Sequence, residues 1–326
     1  MELFKSTLGA ILPLFGLVLI GYLGKKARVL HATDAQVLSR FVVDIALPAF
    51  IVDAFVTHHL RAAYFKLPVT LWVASAIAFG ATLMIGKLTR ATPKTIGAMI
   101  LLSCFGNTGY MGYPITTALL PKLLPATVLC DQLGMSLLLY PGAVMLGSIY
   151  GRTEEQSLRD AIGKFARSPI FIALVVGIAA ALAPSLHAPI PGSPLVASYF
   201  FAHSLLRGIL AVLHTTALAT IPVVLIAIGL MLRPSTLKQH WKEVSYIGLL
   251  KLIVSPVVGW AVGRYALGFA GPLLTICVLE CGVPPSASAT VFAGQYEMDG
   301  SLAIAAFFAL TIASAVTLPI AVTLLR

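Results

Sequence analysis

Ten apolar runs dominate this chain, at residues 7–24, 37–56, 67–86, 95–120, 126–149, 169–184, 208–232, 244–264, 271–295 and 301–325. A helix of about twenty apolar residues matches the thickness of bilayer hydrocarbon, so each run is a candidate membrane crossing. A soluble globule is excluded on composition: 59% of residues are hydrophobic and 10% charged, too little polar surface to clothe a water-soluble core. Ten crossings with short connections use up the 326 residues. The expectation is an all-α integral membrane protein with ten transmembrane helices and one membrane domain.

An eleventh candidate, "LVASYFFAHSLLRGILAVL" (Leu195 to Leu213), is interrupted by His203, Ser204 and Arg207 and follows "APIPGSP". It reads as an interfacial helix leading into crossing seven. Counting charges supports ten. The loops after odd-numbered crossings hold fourteen Lys and Arg, including Lys25, Arg40, Lys87, Arg167 and Lys242, against seven on the other face. Both termini should therefore face outward. An eleventh crossing would move Arg233, Lys238 and Lys242 outside and spoil the asymmetry. The net charge of +10 is spread over the ends of apolar runs, which reads as membrane orientation and not as a nucleic-acid surface. No basic n-region with a small-residue cleavage site precedes the first run, so it is expected to be retained. Cys104, Cys130, Cys277 and Cys281 lie within apolar runs and read as buried free thiols.

The longest polar stretch, "GRTEEQSLRDAIGKFARSP", divides the runs five and five. Residues 1–150 form a first five-helix repeat, 151–168 a cytoplasmic connecting loop and 169–326 a second repeat. With an odd number of helices per half, related halves must be inverted. "DIALPAFIV" in crossing two matches "LATIPVVLI" in crossing seven, which sets Pro48 opposite Pro222. Similar offsets then bring Pro114 in crossing four into register with Pro284 in crossing nine.

Both of these crossings carry helix breakers: "CFGNTGYMGYP" in the fourth and "ECGVPPSASATVFAGQYE" in the ninth. A break in hydrocarbon frees backbone groups at a cost of roughly 2–7 kcal/mol each unless they are paired, so it must lie inside protein or beside water. Glycines and prolines also kink helices merely for packing, but paired breaks at corresponding positions argue for a site. Where the two cross, the N-termini of their second halves bring positive partial charge to mid-membrane. A carboxylate would be held by amides near Gly112 to Ile115 and Pro285 to Ala287, with Asn107, Thr108, Ser286 and Ser288 assisting.

"GNTGYMGYP", "LPAF", "IAIGLML" and "VPPSASATVFAGQYEMDG" together resemble the auxin efflux carrier family, in particular its compact bacterial permeases. The resemblance covers essentially the whole chain. It implies broken crossover helices four and nine, a scaffold of helices 1, 2, 6 and 7, a transport part of helices 3–5 and 8–10, and elevator-type alternating access in a bacterial cytoplasmic membrane. Asn107 and Pro114 match the family's substrate-site asparagine and crossover proline, with Pro284 or Pro285 in the second half. The substrate-binding set is then Asn107, Thr108, Gly109, Gly112, Pro114, Pro284, Pro285, Ser286 and Ser288. Small mono- or dicarboxylates such as malonate are the implied organic anions, and a homodimer is among the assemblies the family adopts. Helix nine departs from the plant members in its serines and Glu280, so their indole-acid selectivity does not transfer.

Glu280, just before the second break, is the leading ion-coupling candidate, because a solitary intramembrane carboxylate must be protonated, paired or ion-bound. Asp44, four residues before Pro48, is the second. "LECG" also resembles the glutamate-containing helix of the bile-acid sodium symporters, so H⁺ and Na⁺ compete as coupling ion; no other cofactor is implied. Asp131, Asp53 and His58 read as solvated near the outer ends of their helices, and Lys251 as snorkelling to the inner interface. A channel would need polar residues along a continuous lining. An enzyme would show HExxH, GxSxG or a P-loop, and none occurs. A sensor retaining a transporter's site is the remaining alternative.

Overall fold

The computed structural model describes residues 2–151, 158–182, 208–232 and 237–325. Among these the chain is helical, and seven helices are long and apolar enough to cross a membrane. They are α1 (Glu2–Lys26), α2 (Asp34–Thr57), α3 (Ala62–Leu88), α6 (Pro121–Tyr150), α9 (Gly208–Met231), α10 (Trp241–Ala266) and α13 (Gly300–Leu324). Three shorter apolar helices complete the apolar set: α4 (Pro93–Cys104), α8 (Pro169–Leu182) and α11 (Pro272–Gly282). Each of the three opens on proline, whose missing N–H would be unpaired in a first turn anyway. Two short segments, α5 (Tyr113–Leu119) and α12 (Ala287–Gln295), continue the chain beyond α4 and α11. The polar stretch expected as a loop contains a further helix, α7 (Leu158–Ala166). Its Phe165 is buried, with ring centroids 5.5 Å from Tyr140 and 5.0 Å from Phe171. Of the segment expected to be interfacial, residues 195–207 lie outside the described residues, and α9 begins at Gly208.

Two groups of helices are visible in the packing. In one, α1 lies along α9, and α2 packs against α8 and α9. Glycine permits the α1–α9 contact: a Cβ on Gly21 would collide with the Ile226 carbonyl oxygen, and one on Gly229 with that of Val18. Lys25 extends the join, its Nζ donating to the carbonyls of Leu230 (2.8 Å) and Leu232 at the carboxyl end of α9, where the helix dipole favours a cation. In the other group α3 packs on α4, α6 and α10, α10 on α11, and α13 on α4, α11 and α12. The groups meet where α1 touches α5 and α13, and where Phe50 of α2 stacks on Tyr113 at 5.7 Å.

Among the described residues are five π-helical turns, Val42–Ala46, Cys130–Ser136, Leu249–Val254 and Val262–Ala266 within long helices and Thr108–Gly112 leading into α5. Four precede a proline within five residues: Pro48, Pro114, Pro141 and Pro256. Proline donates no hydrogen bond and its ring crowds the carbonyl four residues back, so the helix widens just upstream. Asp44, Asp131 and Lys251 all sit in such turns.

Candidate functional site

The two interrupted crossings meet. α4 ends at Cys104, α11 ends at Gly282, and the extended residues that follow pair as an antiparallel bridge between Gly106 and Pro285. The Asn107 amide donates to the Pro284 carbonyl at 2.8 Å, and the Ser286 amide to the Phe105 carbonyl at 2.9 Å. Each break thus satisfies backbone groups freed by the other, which is how both persist at the centre of an apolar bundle.

This pairing revises which amides remain open. The Ser286 amide is consumed by the bridge, and Pro285 has none to offer. The first break lies at Phe105 to Asn107, several residues before the expected stretch from Gly112 to Ile115. The helix restarts at Thr108 as a π turn, in which the Met111 and Gly112 amides donate to the Asn107 carbonyl at 2.9 and 3.3 Å. Pro114 therefore lies inside the restarted helix, near the start of α5, and its effect is the widened turn before it.

Beside the bridge is a cleft of about 500 Å³, open mouth included. Asn107, Thr108 and Gly109 from the first break and Ser286 and Ser288 from the second line it, together with Asp131, Gln132, Ser136 and Tyr140 of α6 and Tyr110. α2 contributes Val43 and Leu47, and α8 contributes Ile170. Of the nine substrate-site residues expected, Gly112, Pro114, Pro284 and Pro285 stand outside this wall. Among the described residues the buried Asn107 Nδ2 has no hydrogen-bond partner, and neither does Gln132 Oε1. Orphaned polar atoms at a cleft are costly in the apo protein and are the groups a polar ligand would satisfy.

Asp131 was misread from the sequence as solvated. It is 4% exposed and accepts from the hydroxyl of Thr108, from Tyr113 Oη at 2.5 Å and from Gln132 Nε2 at 2.7 Å. The available signal was the proline ten residues on, which marks a widened turn; two of the three partners, Thr108 and Tyr113, come from another helix and could not be read locally. Lys251, expected to snorkel, is 1% exposed. Its Nζ lies 2.8 Å from where a Cβ would stand on Gly106, behind the first break.

Glu280 is fully buried, and among the described residues neither carboxylate oxygen has a hydrogen-bond partner. It faces Gly112, where a Cβ would collide with Oε1. Lys251 supplies the opposite charge acting on it. Glu280 is therefore at the crossing but not in the cleft wall. Asp44 is exposed, outside that wall. Asp53 pairs with His214 at 3.2 Å, and His58 Nδ1 is within hydrogen-bonding distance of Thr57 Oγ1 (2.8 Å) and the Ala54 carbonyl (3.2 Å). All four cysteines are buried free thiols.

A bundle of apolar helices with two interrupted helices joined beside a polar cleft is the architecture of a membrane carrier, and this is a multi-pass membrane protein. Residues 6–322 match the family of membrane transport proteins that includes the auxin efflux carriers, and the chain belongs to that family. It is 25% identical over 302 residues to an uncharacterized transporter of Methanocaldococcus jannaschii, covering 90% of this chain and 91% of that one. A second uncharacterized transporter, from Methanothermobacter thermautotrophicus, is 22% identical over 321 residues, with 98% of each chain covered. A Rhizobium meliloti protein described as a "putative malonate transporter" is 27% identical over 325 residues, covering 95% of this chain and 92% of that one.

Proposed function

We propose that this protein is a secondary active transporter of small mono- or dicarboxylates that binds its substrate in the cleft beside the Gly106–Pro285 bridge. One observation carries the reading: the buried Asn107 Nδ2, unpaired among the described residues, stands at a cleft that Ser286 and Ser288 also line. A carboxylate accepts from amide and hydroxyl donors, so these groups complement it without a full cation in the wall. The described name of the Rhizobium meliloti relative agrees with a carboxylate cargo.

Transport by an elevator motion is part of the same proposal. α1, α2, α8 and α9 would form the scaffold, and α3 to α6 with α10 to α13 would carry the cleft across, as ten crossings in two inverted repeats. The cleft draws on the middle of α2, the middle of α6 and the first turn of α8, the last of which lies by the connection between α6 and α8. With that connection in the cytoplasm, as the distribution of basic residues indicates, Ile170 sets one edge of the cleft towards the inner face, the opening expected of an inward-facing carrier. The membrane would be the bacterial inner membrane, with both termini outside. Glu280 is the proposed coupling group, its unpaired oxygens able to take a proton or, in the manner of a sodium symporter, to ligate Na⁺.

Purified protein in liposomes should accumulate radiolabelled malonate to saturation under an imposed H⁺ or Na⁺ gradient. Binding with no accumulation would instead favour a sensor. Failure of a panel of mono- and dicarboxylates to bind at any pH, with or without Na⁺, would refute the carboxylate reading.

A further inference from the structure

The cleft proposed to take a carboxylate already contains one. Among the described residues its wall includes a carboxylate, Asp131, and neither lysine, arginine nor histidine. The groups that face Asp131 are neutral donors: the hydroxyls of Thr108 and Tyr113 from the restarted helix of the first break, and the Gln132 amide beside it on α6. The remaining titratable neighbours are acids. Tyr110 and Tyr140 line the same cleft, Cys130 precedes Asp131 in the chain, and Glu280 of α11 lies close enough for its charge and that of Asp131 to act on one another. The nearby cation, Lys251, stands behind Gly106 with its charge acting on Glu280.

Asp131 also occupies the positive end of the restarted helix. Its Oδ2 lies 3.3 Å from the position a Cβ would take on Gly109, and Thr108 is the residue at which that helix begins. The partial charge that would favour a substrate carboxylate is therefore directed at a resident one. Two carboxylates in one desolvated site cannot both stay ionised; one keeps a proton.

We infer that substrate binds together with one proton, which Asp131 takes up, so that Asp131 makes carboxylate binding proton-linked. The proton comes from a buffer acid or hydronium ion in solution, which leaves its conjugate base or water there. It adds to Asp131 Oδ1, which then donates to Thr108 Oγ1, and the Thr108 hydroxyl hydrogen turns from Asp131 towards the cleft and the bound carboxylate. No bond other than O–H is made or broken. The site gains a neutral acid and a released hydroxyl donor in place of a repelling charge. This inference rests on the proposed carboxylate site.

The test is isothermal titration of malonate into detergent-solubilised protein, in buffers of differing ionisation enthalpy. Wild type should take up about one proton per malonate bound, and its Kd should weaken by up to tenfold per pH unit above the linkage midpoint. Asp131→Asn should retain malonate binding, lose the proton uptake and bind independently of pH. Thr108→Val, which removes a donor from ionised Asp131, should move the midpoint to higher pH and serves if the first variant does not fold. Malonate binding without proton uptake in wild type, undiminished uptake in Asp131→Asn, or an unmoved midpoint in Thr108→Val would each overturn the inference and leave the carboxylate site standing. If wild type binds no carboxylate under any condition, the underlying reading falls, and this inference with it.

Discussion

At the scale of residues, Asn107 was legible because an amide in an otherwise apolar, glycine-interrupted run has few structural uses. Replacing Asn107 with alanine should weaken malonate binding about tenfold to a hundredfold, the worth of a hydrogen bond to a charged group. Titration calorimetry reads the loss, and an unchanged elution profile shows the fold intact. Glu280→Gln makes a different prediction: binding persists while gradient-driven accumulation in liposomes is lost, because the altered group lies at the crossing and outside the cleft wall. Accumulation at the wild-type level would remove Glu280 from coupling. Asp131 and Lys251 were not legible. Depth along a helix estimates distance from the membrane surface, but it does not say which face turns inward, and that decides whether a charge meets lipid, water or another helix.

At the scale of elements, proline explains more than the breaks for which it was read. Pro114 follows the Thr108–Gly112 π turn by two residues, and this turn sets how Thr108 presents its hydroxyl to Asp131. Pro114→Ala should let the turn relax towards an α-helix and rotate Thr108, reducing malonate binding with little loss of folded protein. Unaltered affinity would mean the widening has another cause. The close approach of α1 and α9 gives a second prediction. Gly229→Ala drives a Cβ against the Val18 carbonyl, an overpacking cost of about 1–3 kcal/mol that should appear as a lower Tm in detergent. Helix existence was readable from apolar run length, and the two interruptions from glycine and proline. The exact site of the first break was not, because Gly106 is extended through pairing with Pro285, a residue far along the chain.

At the scale of the whole molecule, the proposed elevator would carry the cleft between two faces, so the thiol of Ser288→Cys should be reached by a membrane-impermeant maleimide from both sides. In liposomes sorted by orientation, labelling from the inner face should be fast, labelling from the outer face should require turnover, and malonate should protect against both. Background is low because the native thiols are buried. Reaction from one face alone would argue against the motion. The sequence by itself determined the solvent, the helical class, the places where helices give way and the asparagine and serines that flank them. These follow from local chemistry: hydrocarbon demands apolar length and paired backbone groups wherever the chain sits. Only the tertiary structure decided that the two gaps pair with each other, that Asp131 turns into the cleft while Glu280 stands behind it, and that Lys251 is buried. Those outcomes depend on which helix faces meet, and the partners that satisfy a buried polar group there come from distant parts of the chain.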